Sequence, residues 1–315
     1  MVPYFPFAND TYEMAMGLRP LGQRPLIEID AAHYPGELAL KAAIIASDAL
    51  AYVRALPSSE AAQWEALALI LADLARHTPH AFALETTGDW WTWHNAYLGS
   101  TTRFRYGDAA MLPHAPLDWV GRQVQEDLLL LDGNAPGCPL IAGQLCFANM
   151  WSLAEKLGQP FLEIHAPVPL FAAQIGRPSD LLMARLKAHR PVWRLNWSLT
   201  ATERLNLAPW FAADHGRAKH AVTVENAGEQ CFLRVERQGL ARLPESNAVL
   251  FTIHTYVAPV GDEACDLVRA QRLLGVLRTA PETVLAYKGI TPFAATLRAY
   301  LEQAVATGLS SHHQA

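Results

Sequence analysis

The chain is short of charge, of paired cysteines and of long apolar runs, and each shortage removes a class of function. Charged residues fill 17% of its 315 positions against 51% apolar ones, fewer than soluble domains usually carry, which is consistent with part of the surface being covered by a cofactor or partner. The net charge is -5 and no basic run interrupts it, which argues against nucleic-acid binding. Cys138, Cys146, Cys231 and Cys265 stand apart with no CxxC pair, which speaks against a structural zinc site, an iron-sulfur cluster and a c-type heme attachment. They read as reduced core thiols of a cytoplasmic protein. No apolar run reaches membrane-spanning length, and the first residues show no basic region leading into an apolar one, so no signal peptide is expected. GxGxxG after a strand, the Walker loop, HExxH and GxSxG are all missing. At this length the chain buries a substantial core as one large domain or two.

What is present is a charged hairpin. Residues 231–260 read as two strands, 232–238 and 248–257, rich in β-branched and aromatic residues, with Gly239 and the cluster 244–247 as punctuation. Strand alternation puts Arg234, Glu236 and Gln238 on one face and Leu233, Val235 and Arg237 on the other. Either face carries charge, which must be paired, solvated or aimed at a ligand.

Around the hairpin, residues 1–36 read as a proline-rich arm, with 26–30 as a short strand. Residues 37–56 carry a helical stripe of Leu40, Ala43, Ile44, Leu50 and Val53, and a second helix spans 59–76 behind Ser59 as N-cap. The aromatic stretch 86–106 reads as core. Strands are expected at 125–132 and 139–150 across the turn 133–137, and at 192–199. Ser152 and Glu155 have capping-box spacing, Ser179 heads a helix over 179–188, and residues 263–306 return to helices before a frayed end at 308–315. The sum is an α+β fold, a five-stranded antiparallel sheet with short helices on one face. Three regions follow: 1–118, an arm and helices packed on the core; 119–260, the core; and 261–315, C-terminal helices.

Most of the twelve histidines, His312 and His313 among them, lie in polar surroundings. His165 and His254 differ, each sitting in an apolar, strand-like run. A lone histidine there is more often a satisfied core residue than a ligand. Pro167 and Pro169 stiffen the backbone after His165 as a ligating imidazole requires.

The stretches PFANDTYEMAMGL (6–18), LIEID (26–30), QEDLLLL (125–131), FLEIHAPVP (161–169), VWRLNWSL (192–199), LRVERQGLARLP (233–244), LFTIHTY (250–256) and AYKGITPF (286–293) occur in order over most of the chain. In them it resembles the heme-binding α-subunit of heme-dependent oxidative N-demethylase. That resemblance implies a PAS-like fold holding a non-covalent heme b, which oxidises a methyl group of a small secondary amine such as dimethylamine and releases formaldehyde. It implies electrons from NADPH through a flavin and iron-sulfur reductase subunit, whose signatures are not in this chain. His165 becomes the first choice for proximal ligand and His254 the alternative, with Glu163 or a backbone carbonyl accepting from the second ring nitrogen. Arg237, or Arg234 on the other face, would donate to dioxygen or a propionate, and Arg194, Asn196 and Trp197 are further propionate candidates. Glu236 would attract the dialkylammonium or accept its proton. The alternatives are a PAS-type heme sensor or gas-binding module without turnover, and an interaction protein without a cofactor.

Overall fold

A computed structural model describes residues 1–312. Its strands, in chain order, are β1 (Arg19–Pro20), β2 (Val53–Ala55), β3 (Phe82–Thr87), β4 (Trp90–Asn95), β5 (Ser100–Arg105), β6 (Asp127–Leu131), β7 (Leu140–Gln144), β8 (Val192–Thr200), β9 (Phe232–Arg242) and β10 (Val249–Pro259). Seven of them form one antiparallel sheet in the order β1-β8-β9-β10-β6-β7-β2, and β3-β4-β5 form a second. The α+β class is as expected, but the main sheet has seven strands rather than five. Its five long strands are those read from the sequence, and the two-residue β1 and three-residue β2 extend the edges.

The β9–β10 hairpin is the axis of the sheet, paired without interruption from Phe232↔Pro259 to Arg242↔Val249. Gly239 does not break it. The N-terminal arm crosses β9 at that point, and a side chain there would lie 2.6 Å from Thr252 Oγ1 and 3.0 Å from a Leu26 methyl, so glycine marks a close approach inside a strand.

Layers cover both faces of the sheet, not one. The arm face carries Leu128, Leu130, Trp193, Ala241 and Leu250 against Leu26, Ile27, Tyr34 and Leu67, and further along it Leu199, Leu233, Val235 and Ala258 meet the C-terminal Leu273 and Leu297. On the opposite face Leu129 and Ile253 meet Leu153 and Ile164, while Leu131, Leu240 and Val249 meet Phe161, Met183 and Leu186. Packing from both sides explains why the long strands read as apolar with few polar interruptions.

Several local expectations shift for physical reasons. Residues 26–30 are irregular rather than a strand, because the backbone amides of Ile27, Glu28 and Asp30 donate to the side chains of Asp73, Glu126 and Gln125 instead of to a ladder. The helix Tyr34–Ser47 stops where Asp48 caps the four-residue helix Ala49–Tyr52, so the expected stripe goes out of phase. Tyr34, Leu38, Lys41 and Ile45 are buried, whereas Leu40 and Leu50 are exposed. Buried Lys41 places its ammonium on the carbonyls of Gly121, Val124 and Glu126 at 2.8, 3.0 and 2.6 Å, using all three donors. The aromatic stretch is a sheet whose inner face, with Trp93 and Phe104, is core as expected. The capping box at Ser152 and Glu155 forms, but Ser59 and Ser179 make no such cap. The final helix, Thr291–His312, runs through most of the stretch expected to fray, and 313–315 lie outside the described residues.

Candidate functional site

The register separates the expected site residues onto opposite faces of the sheet. Arg194, Asn196 and Ser198 stand opposite Gln238, Glu236 and Arg234 across β8 and β9, and Thr255 stands opposite Glu236 across β10. Trp197, Arg237 and His254 point to the arm face, since alternate strand residues point to opposite sides.

On the arm face Arg237 is 1% exposed. It donates to the carbonyls of Leu26 (3.1 Å) and Pro25 (2.6 Å), and its Nε lies 3.2 Å from Glu28 Oε1, an ionic contact without hydrogen-bond alignment. Glu28 also accepts from the hydroxyls of Tyr4 and Tyr256. His254 Nδ1 lies 3.0 Å from Glu126 Oε1. Burial works against its charged form, but the Glu126 carboxylate outweighs this and raises His254 above the ordinary imidazole value. Arg237 ties the arm to the sheet directly, and His254 does so through Glu126, which also accepts from the backbone amide of Glu28. Arg237 thus directs its hydrogen bonds to the arm, and His254 is an ion-pair partner of Glu126 on the face away from His165. Trp197 is likewise displaced, its ring meeting Phe7 at 4.9 Å with Lys288 Nζ 4.5 Å above it.

The opposite face holds the polar centre. Glu236 Oε2 accepts from Asn196 Nδ2 at 3.1 Å and from Gln238 Nε2 at 2.9 Å, and Oε1 lies 3.6 Å from Arg234 Nε. Arg234 is itself fixed by the carbonyls of Leu205 and Phe147, so it braces Glu236 rather than reaching outward. Arg194 is different. Its buried Nε lacks an aligned acceptor, as do those of Arg234 and Arg237, but no nitrogen of Arg194 makes a hydrogen bond among the described residues; burial lowers its pKa and Glu236 opposes the shift.

Over this face pass residues 151–190. Phe161–Ile164 is one helical turn, not the strand-like run expected, and His165 is its C-cap. Prolines at 160, 167 and 169 deny the segment a ladder. It continues through Leu170, a non-glycine residue with φ 66°, into a π-helical turn, Phe171–Gly176, a rare geometry that clusters at functional sites. His165 Nδ1 donates to the Phe161 carbonyl at 2.8 Å, the backbone alternative to Glu163. Nε2 has no protein partner among the described residues and is not sealed from solvent. The ring stacks on Phe171 at 4.8 Å and tilts against Phe161 at 4.4 Å. Burial pushes its pKa down to about 4, with the Phe161 hydrogen bond opposing and the charges of Lys156 and Arg194 adding to the fall. Those two couplings also place His165 within electrostatic reach of Arg194.

A pH prediction follows. His165 stays neutral in the folded protein until the pH falls to about 4, while an unfolded chain protonates it near 6.5. Its contribution to stability therefore declines as pH falls from about 6.5 to 4 and is flat below. A ring-proton NMR titration with its midpoint near 6.5 would contradict this environment.

Three site residues escaped the sequence reading. Gln238 was seen only as one of a face of three; its register with Arg194 and its bond to Glu236 single it out. Lys156 donates to the Ile164 carbonyl at 2.8 Å, at the turn that carries His165. Lys288 donates to the Trp197 carbonyl at 2.6 Å; burial lowers its pKa to about 8, opposed by Glu236 and helped by Arg194. Its place in the AYKGITPF motif was the available signal. Surface hollows of about 510 and 340 Å³ lie elsewhere and contain none of these residues. Among the described residues no three His, Cys, Asp or Glu side chains form a metal-ligand set, and no helix is long and apolar enough to cross a membrane.

In this constellation an imidazole nitrogen without a protein partner among the described residues lies within electrostatic reach of the Arg194 guanidinium. Residues 17–298 match the family described as "Haem-dependent oxidative N-demethylase, alpha subunit-like", and the chain belongs to that family. That description names heme dependence, an oxidoreductase kind of activity and an alpha subunit.

Proposed function

We propose that the chain is the heme b-binding oxygenase component of an oxidative N-demethylase acting on a small secondary amine, with the five long strands serving as a PAS-like platform for the cofactor. The observation that carries the proposal is His165, whose Nδ1–H is tied to a backbone carbonyl while Nε2 is left without a partner. That is the donor set a proximal ligand needs, because the hydrogen bond fixes tautomer and ring orientation. The Arg194 guanidinium, whose buried Nε has no hydrogen-bond acceptor, fits a propionate, with Lys156 and Lys288 adding positive charge nearby. These residues fit the group the family name requires.

When bound, heme supplies the reduction of dioxygen and the oxidation of the methyl carbon. The protein's share is binding and orientation. Phe161 and Phe171 flank the imidazole and limit its rotation. Glu236, held by Asn196, Gln238 and Arg234, provides the negative charge that draws a dialkylammonium to this face. The overall balance is dimethylamine plus dioxygen, two electrons and two protons giving methylamine, formaldehyde and water. The electrons come from outside this chain, for which a reductase subunit using NADPH, flavin and an iron-sulfur centre is the proposed partner.

The test is an absorption spectrum of protein reconstituted with heme, followed by addition of dimethylamine, reductant and dioxygen. A Soret band, a spectral shift with amine, and formaldehyde are expected. Lack of a Soret band would sink the proposal, and gas binding without formaldehyde would replace it with a sensor.

A further inference from the structure

Glu236 dictates how its two amide neighbours must point. A carboxylate only accepts hydrogen bonds, so Asn196 and Gln238 can bond to it only through their NH2 groups, as they do at 3.1 and 2.9 Å on the same oxygen. Their carbonyl oxygens are thereby turned away from Glu236. Neither Asn196 Oδ1 nor Gln238 Oε1 has a protein donor among the described residues, and neither is sealed from solvent. Two acceptors diagonal to one another on adjacent strands, both held against one carboxylate, make a recognition element for a cation that carries two N–H bonds.

We propose that Asn196 Oδ1 and Gln238 Oε1 are the acceptors that read the two N–H bonds of a secondary ammonium substrate, and that Glu236 is the positioning residue that aims them. This rests on the functional proposal above and adds how the site tells secondary from tertiary amines. The neighbouring cations do not oppose it. Arg234 is committed to the Leu205 and Phe147 carbonyls and to Glu236, Lys288 donates to the Trp197 carbonyl, and Arg194, opposite Gln238 across β8 and β9, is the propionate partner, which leaves Glu236 as the anion held against both amides. A tertiary ammonium has one N–H, leaving one amide oxygen desolvated and unpaired, a penalty that recognition sites use for discrimination. A quaternary ammonium leaves both.

N-methylethylamine and trimethylamine are isomers of near-equal volume, and both are cations near pH 7. Calorimetric titration of the heme-loaded protein should show the first binding about tenfold more tightly, one hydrogen bond to a charged donor being worth at least that, with tetramethylammonium weaker again. In Gln238→Met, close in shape but without the acceptor, the preference should shrink to within about twofold while heme content is unchanged. Asn196→Leu is the second variant should the first fold poorly. Glu236→Gln should weaken every alkylammonium and narrow the preference as well, because a neutral amide no longer forces either neighbour's orientation. Equal affinities in the native protein, or a preference surviving in both acceptor variants, would overturn the assignment. If formaldehyde still forms in that case, the functional proposal stands without it; if neither heme nor amine binds, both fall.

Discussion

Replacing His165 with glycine is expected to lower heme affinity by at least about 100-fold, since loss of a supporting contact to a metal-ligating histidine already costs 10- to 100-fold. The variant should lose the Soret position of the native protein and regain it when imidazole is added, because the Phe161 carbonyl that fixes Nδ1 belongs to the backbone and remains to orient the added ring. His254→Gln is the companion measurement. It removes the partner of Glu126 on the other side of the sheet, and its spectrum should be that of the native protein even if its stability drops. An unchanged spectrum in His165→Gly, or a lost one in His254→Gln alone, would move the ligand to the arm face.

The second large effect concerns stability. Arg237→Ala removes one half of a buried pair, leaving Glu28 without its cation and the carbonyls of Pro25 and Leu26 without donors. Breaking a buried pair from one side costs about 3–5 kcal/mol, and urea unfolding should show a loss of that order. Because Arg237 faces the arm and not His165, the spectrum of the remaining folded, heme-loaded protein should not change. The double variant Arg237→Met, Glu28→Gln should recover a good part of the loss, since a pair replaced by neutral groups of similar shape avoids the stranded charge. A loss below about 1 kcal/mol, or an altered Soret band, would contradict the structural role given to Arg237.

These two predictions differ in kind because the hairpin that looked like one charged element serves two layers. Both strands, the 125–132 and 192–199 strands, and the capping box at Ser152 were legible from β-branched runs, turn residues and cap spacing, which act over a few residues. Misplaced elements were those ruled by distant partners. Residues 26–30 have strand-forming side chains, yet their amides go to Asp73, Gln125 and Glu126. Phe161–Ile164 has the composition of a strand, but the flanking prolines and the carbonyl demand of His165 and Lys156 wind it into a turn.

By itself the sequence determined that this is an α+β protein with an antiparallel sheet and that the 232–257 hairpin carries charge on both of its faces. Strand alternation also determined that Arg237 and Glu236 face opposite ways. Which face receives a ligand was decided only in three dimensions. The arm closes one face, its Glu28 and the carbonyls of Pro25 and Leu26 holding Arg237 while Glu126, just ahead of β6, holds His254, whereas on the other Arg194, the amide oxygens of Asn196 and Gln238, and His165 Nε2 make no hydrogen bond to protein among the described residues. Local chemistry sets what a side chain can bond to, but only the packing of segments far apart in the chain decides which of those bonds are already made.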